Sequence, residues 1–459
     1  MRSSPRVYIA VTALLLACSI GRLDAQAPNS GSGVKRLQVP YTDFTLANGL
    51  HVILHRDSSV PIVSVNVWYH VGSGSEKPGR TGFAHLFEHL MFEGSKHVPE
   101  GAFDQWLEAA GGNNNGSTTP DRTNYFIDVP SNALELALFL ESDRMGYLLD
   151  TMTPERVDGQ RDVVKNERRQ SYENQPYGRA FLTLGEMLYP KNHPYSWPTI
   201  GSMDDLTAAT RDDVAEFFKT YYAPNNASLV IAGDIDIAET RKLVEKWFSE
   251  IPRGPAVPPV APPAAFLTEV KKQTLPDRVQ LPRLYMAWHT PPLFAPGDAA
   301  MDVAASLMTG GKNSRLYRRL VYDLQIAQDV TAFQQSQALG SMFVIIATAR
   351  PGQTLEKIKA VIDEELDKLR GAPADEREMA RTMNQLEANF YRSMERVGSF
   401  GGKADQLNAY YTRTGMPDYF EEDLSRYRAL SAEDIRSSIA RLLPKDKRVE
   451  LSIVPEDKK

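Results

Sequence analysis

The chain has 459 residues, of which 42% are hydrophobic and 24% are charged, a composition typical of a globular protein. Lysine and arginine number 52 and aspartate and glutamate 58, so the formal net charge is −6. Because the basic residues are interspersed with acidic ones and form no basic patch, we expect no nucleic-acid partner.

The N-terminus has the pattern of a secretory signal. Arg2 and Arg6 precede a nearly all-apolar run of 14 residues at positions 7–20, which is too short to span a membrane. We predict a signal peptide over residues 1–27, with cleavage after Ala25 favoured. A flexible polar tether is expected to follow over residues 28–40.

The one cysteine of the chain, Cys18, lies within this signal. The sequence Leu15-Leu16-Ala17-Cys18 partly resembles a lipoprotein signal, so two forms are expected: a soluble chain, or one anchored through a lipid on Cys18. A conventionally cleaved chain would hold no cysteine and hence no disulfide. The expected location is the periplasm, after secretion across the inner membrane, with membrane contact only through that anchor.

Strands and helices alternate after the tether. Residues 41–54 predict a hairpin with Asn48-Gly49 at its turn, and residues 60–70 predict a further strand. The other elements predicted before residue 250 are helices at 103–110, 133–149 and 211–222 and strands at 124–129 and 228–232. This order predicts an α+β fold in which helices pack on one face of a β-sheet.

Residues 82–94 read GFAHLFEHLMFEG and place His85, Glu88 and His89 on one face of a helix. An apolar stripe on the opposite face supports the helix and argues against a chance match. Two imidazoles one turn apart can bind one metal ion, and a hydrolytic Zn²⁺ site keeps one position open for water. Glu88 is placed to take the proton from that water. The motif is H-x-x-E-H, the inverted form of the H-E-x-x-H zinc-protease helix.

A third ligand is expected from residues 153–174. Thr153 and the proline after it mark a helix start. On this helix Val163 and Val164 precede Glu167, which predicts that Glu167 faces the buried side, where a carboxylate must be paired or bound to metal. The alternative is an exposed glutamate on a solvated, basic helix face.

Four stretches together resemble the pitrilysin/insulinase family of zinc metallopeptidases, and in particular bacterial two-domain members similar to processing-peptidase subunits. They are HLFEH, the glutamate 78 residues after its second histidine in VVKNERR, GGNNNGSTTPDRTNYF, and YYAPNNASLVIAGDI. The resemblance runs from about residue 41 to the C-terminus. It implies one Zn²⁺ per chain, held by His85, His89 and Glu167, with Glu88 as the general base.

The resemblance also bears on two amide residues. It implies that Asn115 lies on a strand against which a substrate peptide pairs, a mode that uses main-chain hydrogen bonds and tolerates varied sequences; without it, the Gly and Asn cluster predicts only a turn. The family often carries a second glutamate seven residues before the ligand one. This chain has Gln160 there, which can donate hydrogen bonds but carries no charge, and we expect weaker activity without loss of the metal.

A proline-rich linker divides the chain. Residues 251–266 contain six prolines, a composition that is stiff and extended. We therefore predict a catalytic zinc-peptidase domain over residues 41–250, a linker over residues 251–265 and a second domain over residues 266–459.

The second domain is predicted to be a degenerate repeat of the first. Residues 284–292, 299–311 and 448–457 resemble the strand before the motif, the motif helix and the last strand of domain one. Alignment places Asp302, Ala305 and Ser306 where the three motif residues stand in domain one. The repeat cannot build this zinc site, and its expected role is to enclose substrate.

The resemblance further implies that a non-catalytic half supplies an arginine and, seven residues later, a tyrosine that hold the substrate. Our alignment places Val321 and Gln328 at those positions, with Arg315, Arg318 and Tyr322 nearby but out of register. Because the family encloses substrate with four such domains and this chain has two, we expect a dimer. The partner is either a copy of the chain or, preferably, a metal-free paralogue that carries the Arg/Tyr pair.

The sequence thus predicts a secreted or periplasmic zinc-dependent endopeptidase that cleaves peptides or unfolded protein segments. Two alternatives remain: a non-catalytic binding or assembly subunit of a related peptidase complex, and a zinc hydrolase that acts on something other than peptides.

Overall fold

The structure is a computed structural model and describes residues 36–456. The predicted signal peptide, Cys18 and most of the predicted tether lie outside the described residues. Within the end of that tether, Val39 is buried and its N–H donates to Asp418 Oδ1 at 3.1 Å. No helix formed by residues 36–456 is long and apolar enough to cross a membrane.

The first sheet is built by the first half of the chain. Its strands are β1 (Thr42–Thr45), β2 (His51–Arg56), β3 (Ile62–Tyr69), β4 (Asn113–Thr118), β5 (Thr123–Pro130) and β6 (Ala227–Gly233). Across the sheet they lie in the order β1-β2-β6-β3-β5-β4, with β2 and β6 parallel and the other neighbours antiparallel. The predicted hairpin is confirmed as β1 and β2, and Gly49 in its turn has the positive φ of 97° that favours glycine.

The second sheet repeats this arrangement. Its strands are β7 (Lys271–Asp277), β8 (Arg283–Thr290), β9 (Ala327–Gln335), β10 (Ser341–Ala349) and β11 (Val449–Pro455). They lie in the order β7-β11-β8-β10-β9, with β7 and β11 parallel and the rest antiparallel. These five strands match β2-β6-β3-β5-β4 of the first sheet in order and direction. The predicted internal repeat is therefore confirmed.

Most helices pack on one face of the sheet of their own half, which confirms the predicted α+β class. Those of the first half are α1 (Phe83–Leu90), α2 (Ala102–Ala109), α3 (Leu134–Tyr147), α4 (Pro154–Arg168), α5 (Ala180–Leu188), α6 (Met203–Ala208), α7 (Arg211–Tyr221) and α8 (Ile237–Phe248). Those of the second half are α9 (Asp298–Thr309), α10 (Leu355–Gly371), α11 (Glu376–Ser393), α12 (Lys403–Thr414), α13 (Phe420–Arg428) and α14 (Ala432–Leu442). Each half has its own apolar core between its sheet and its helices.

The other face of each sheet is covered by a helix from the opposite half. Helix α5 places Leu184 and Leu188 against Tyr285 and Val449 of the second sheet, in an apolar layer. Helix α12 lies on the first sheet through polar contacts: Asn408 Nδ2 donates to Asn66 Oδ1 at 2.9 Å. This exchange of helices joins the two halves, although they are consecutive in sequence.

Candidate metal centre

Helix α1 presents the H-x-x-E-H motif, and a buried carboxylate fixes where this helix begins. Glu76 accepts hydrogen bonds from the N–H groups of Gly82, at 3.0 Å, and Ala84, at 2.8 Å, at the helix end where such groups lack partners within the helix. Gly82 has a φ of 90°, and a Cβ there would lie 2.9 Å from Gly201 Cα. Glycine is therefore required at the entry to the motif helix.

Helix α4 carries the predicted third ligand. As predicted, Thr153 caps it, with Oγ1 accepting from Arg156 N at 3.4 Å, and proline occupies its first position. The prediction that Glu167 faces the buried side rested on Val163 and Val164. Val164 is fully buried, but Val163 is 45% exposed, so this prediction is only partly confirmed. Glu167 lies between these faces, with its side chain 38% exposed.

The two helices bring His85, His89 and Glu167 together. Glu167 Oε2 lies 3.2 Å from His89 Nε2 and 3.7 Å from His85 Nε2, and one donor atom from each of the three residues lies within 4.8 Å of the others. Tetrahedral Zn²⁺ with bonds of 2.0–2.1 Å requires donor separations of about 3.3 Å. Two nitrogens and a carboxylate oxygen at these separations fit a zinc ion.

The protonation states of His85 and Glu167 suit metal binding. Burial, with the neighbouring His89, lowers the pKa of His85 to about 4, so the imidazole is neutral at pH 7. The hydrogen bond from His89 lowers the pKa of Glu167, so this carboxylate is charged. Neutral imidazoles and an ionised carboxylate are the forms that coordinate metal ions.

Glu88 lies between the three candidate ligands and strand β4. Burial raises the pKa of Glu88, and Thr118 Oγ1 donates a hydrogen bond of 2.6 Å to Glu88 Oε2. Gly116, two residues before Thr118, leaves space for this side chain, since a Cβ there would lie 3.1 Å from Glu88 Cγ. Sequence reasoning did not single out Thr118 or Gly116, although period-two alternation in GGNNNGSTTP places both on one face of a strand.

Asn115 lies on the same strand, on its exposed side, and its Oδ1 accepts from Gly116 N at 2.8 Å. Strand β4 is the last strand of the first sheet, and its outer edge pairs with no strand among residues 36–456. The geometry therefore offers an edge beside Glu88 to which an extended peptide can add.

Gln160 contacts a carboxylate other than that of Glu167. Its Nε2 donates to Glu93 Oε1 at 2.6 Å, and Glu93 follows α1 by three residues. Burial raises the pKa of Glu93. The pair links the segment that carries the two histidines to the helix that carries Glu167.

The corresponding place in the second half holds other groups. Asp302 and Ser306 of α9 line a cavity of about 540 Å³, and Asp302 Oδ2 accepts from Tyr427 OH at 2.8 Å. Val321 is half-buried, Gln328 is exposed, and Tyr322 between them is 74% exposed. Arg315 is ion-paired with Glu378 at 2.6 Å.

Two family comparisons cover most of the chain. Residues 51–193 match the family described as Insulinase (Peptidase family M16), and residues 208–386 match the one described as Peptidase M16 inactive domain. The chain belongs to the insulinase family of peptidases, M16, as the motif indicated.

Individual relatives agree with this assignment. The chain is 29% identical over 385 residues to the zinc protease PqqE of Helicobacter pylori, covering 82% of this chain and 85% of the relative. A protease structure from Helicobacter pylori matches with a TM-score of 0.85 and 26% identity, over 91% of this chain and 100% of that one. The periplasmic protease PqqL of Escherichia coli shares the fold at 18% identity and a TM-score of 0.74, over 92% of this chain and 48% of that one. The zinc-protease relatives support a peptidase that uses zinc.

Proposed function

We propose that the protein is a zinc-dependent endopeptidase that cleaves peptides or unfolded protein segments. The observation that carries this proposal is the convergence of His85, His89 and Glu167 within 4.8 Å, beside the face of α1 that also presents Glu88. A bound zinc ion would polarise a peptide carbonyl and acidify water. The non-catalytic alternative is less well supported, because all three donor residues and the base are in place.

The residues of the chain supply the remaining chemistry. The edge of β4 beside Asn115 binds the substrate backbone as an added strand, which selects extended or unfolded segments. Glu88, oriented by Thr118, accepts a proton from the attacking water and returns it to the leaving amine. The partly buried position of Glu88 next to the donor atoms suits both transfers.

The test is zinc content by mass spectrometry together with chelator-sensitive cleavage of an unstructured peptide. We expect wild type to hold one zinc ion per chain and to cleave, either alone or with the partner proposed below. Under the same conditions we expect Glu88→Gln to hold the same zinc and to lose at least about a thousandfold in rate. Full cleavage by Glu88→Gln would refute the assigned base. His85→Ala with full zinc occupancy would refute the assigned ligand set.

We further propose that the active form is a dimer, preferably with a metal-free paralogue. Support comes from Val321 and Gln328, which cannot replace an arginine and a tyrosine. Light scattering and peptidase assays on the chain alone, and after addition of such a paralogue, test this. Full activity of the monomer would contradict it, and full activity of the homodimer would make the second chain a copy.

We also propose export to the periplasm. The N-terminal signal pattern supports this, as does the shared fold with PqqL of Escherichia coli, which is described as a periplasmic protease. Fractionation of cells, with mass spectrometry of the mature N-terminus, distinguishes cleavage after Ala25 from lipidation at Cys18.

A further inference from the structure

A cavity of about 610 Å³ lies between the two halves and begins beside the proposed base. Residues 118–122, which connect β4 to β5, form one wall together with Trp68, and residues 335–337 and helix α12 form another. Thr118 belongs to this wall and is also the residue that donates to Glu88. A peptide that follows the edge of β4 past Thr118 therefore reaches this cavity.

Three arginines line the cavity, and two of them are ion-paired. Arg413 Nη2 lies 3.5 Å from Asp121 Oδ2, and Arg426 lies 2.8 Å from Asp423 and 3.3 Å from Asp298. These contacts neutralise both guanidinium groups within the protein. Asp302, the remaining carboxylate of the lining, accepts from Tyr427.

Arg122 differs from the other two. Its Nη1 donates to Ser117 O at 2.8 Å and to Ser117 Oγ at 2.7 Å, and its guanidinium lies over the ring of Trp68 at 5.1 Å. These contacts hold the side chain in place but bring no negative charge to it. Within residues 36–456, no carboxylate lies within ion-pair distance of Arg122.

The carboxylates that act on Arg122 from farther away are already engaged. They belong to Asp405, Glu88 and Asp121, and the last of these is paired with Arg413. Asp405 Oδ1 accepts from Trp68 Nε1 and from Asn124 Nδ2, both at 2.8 Å, and Glu88 accepts from Thr118. Arg122 is partly buried, and burial lowers the pKa of its guanidinium. Charges taken out of water in proteins are generally paired.

We propose that Arg122 is a specificity-determining residue that binds a carboxylate carried by the peptide substrate. The planar guanidinium matches a carboxylate through paired hydrogen bonds, and its fixed position on Trp68 reduces the entropy lost on binding. A strand advances about 3.3 Å per residue, so a peptide paired with β4 beside Glu88 places the carboxylate within a few residues of the scissile bond. This inference rests on the proposed peptidase function and adds its substrate class, acidic peptides.

The experiment compares peptides that differ only in charge. Glutamate and glutamine are exchanged at each of the four positions on either side of the scissile bond, and a second set exchanges a C-terminal carboxylate for an amide. We expect kcat/KM of the wild type to be roughly tenfold higher for glutamate at one position, and the preference to vanish in Arg122→Gln. A preference confined to the C-terminal set would identify the terminal carboxylate as the group bound.

Arg283→Gln is the matched control, because Arg283 also lies over an aromatic ring, that of Tyr177 at 3.6 Å, but does not line the cavity. It should keep the wild-type preference. Arg122→Lys retains the positive charge and should retain part of the preference for the acidic peptide. This variant separates loss of charge from misfolding.

Equal cleavage of charged and neutral peptides by the wild type would overturn the inference, as would a preference that survives in Arg122→Gln. If neither peptide is cleaved, with or without the added paralogue, the proposed function fails, and fluorescence anisotropy with the Glu88→Gln chain decides the inference by itself. Tighter binding of the acidic peptide, lost when Arg122→Gln is added, would support it, and equal binding would refute it.

Discussion

At the scale of single residues, the hydrogen bond from Thr118 to Glu88 is the contact that orients the proposed base. The bond is 2.6 Å long and joins a hydroxyl of β4 to a carboxylate whose burial raises its pKa. A bond to a charged, partly buried group contributes about 1.5–3 kcal/mol. We predict that Thr118→Val lowers kcat roughly tenfold to a hundredfold and leaves the zinc content unchanged.

Steady-state kinetics and metal analysis on the same preparation check this prediction. Thr118→Ser is the matched control, since it retains the hydroxyl and should retain most of kcat. A valine variant with wild-type kcat would show that packing alone orients Glu88. A variant that loses zinc would show that the effect lies in the ligands rather than in the base.

At the scale of elements, the metal centre depends on how α4 is held against α1. The bond of 2.6 Å from Gln160 to Glu93 joins the segments that carry the proposed ligands, and Gln160 lies two helical turns before Glu167. Gln160→Leu would remove this bond and leave the Glu93 carboxylate without its donor. Groups that orient metal ligands typically affect metal affinity tenfold to a hundredfold, and we predict a loss of about tenfold in zinc affinity.

Competition with a chromophoric chelator measures this affinity without reference to activity. The exchange Glu93→Gln with Gln160→Glu keeps one carboxylate and one amide, so it should restore much of the affinity lost in Gln160→Leu. Equal affinities of wild type and Gln160→Leu would mean that apolar packing of residues such as Val164 positions α4.

Helix α3 contains a fully buried ion pair beneath β5. Arg144 is 1% exposed, Glu141 is not exposed at all, and the guanidinium lies 4.3 Å from the ring centroid of Tyr125. Removal of one partner from a buried pair costs about 3–5 kcal/mol, whereas apolar replacement of both is often nearly neutral. We predict that Arg144→Met lowers the free energy of unfolding by that amount and that adding Glu141→Leu restores most of it.

Urea unfolding followed by circular dichroism measures both variants. A double variant as unstable as Arg144→Met alone would show that the arginine stabilises through its contacts with the rings, and not through its charge.

The local elements could be predicted from the sequence because their signals are local. The apolar stripe on the side opposite the H-x-x-E-H residues predicts α1, and Thr153 followed by Pro154 predicts the start of α4. The exposure of Val163 could not be predicted, since it depends on where neighbouring helices pack. Glu141 and Arg144 have a pattern typical of a solvated helix face, and their burial follows from elements distant in sequence.

At the scale of the whole molecule, the repeat could be predicted but the exchange of helices between the halves could not. Strand β3 alternates Val63, Val65 and Val67 with Ser64 and Asn66, the pattern of a strand with one solvated face. Both faces are buried in the structure, because α12 covers the polar one. Asn408 on α12 is 342 positions away from Asn66, and no local pattern indicates that contact.

We predict that the polar contact between the halves makes the stability of the fold sensitive to acid. His70 follows β3, and its Nε2 lies 3.1 Å from Ser228 Oγ and 3.3 Å from Thr412 Oγ1 of α12. Burial lowers its pKa from 6.5 to about 4, and the nearby Arg413 and His51 act in the same direction. The folded protein therefore holds this imidazole neutral, whereas the unfolded chain protonates it below pH 6.5.

The sign follows from which state binds the proton first. Above pH 6.5 neither state is protonated at His70 and stability is complete, and as the pH falls from 6.5 towards 4 the unfolded chain gains the proton first and stability is lost. For this shift the loss between pH 7 and pH 5 is about 2 kcal/mol. We predict that between pH 7 and pH 5 the free energy of unfolding of His70→Gln falls by about 2 kcal/mol less than that of the wild type. Urea unfolding at both pH values measures this difference. An equal loss of unfolding free energy in both proteins would show that groups other than His70 cause the acid sensitivity.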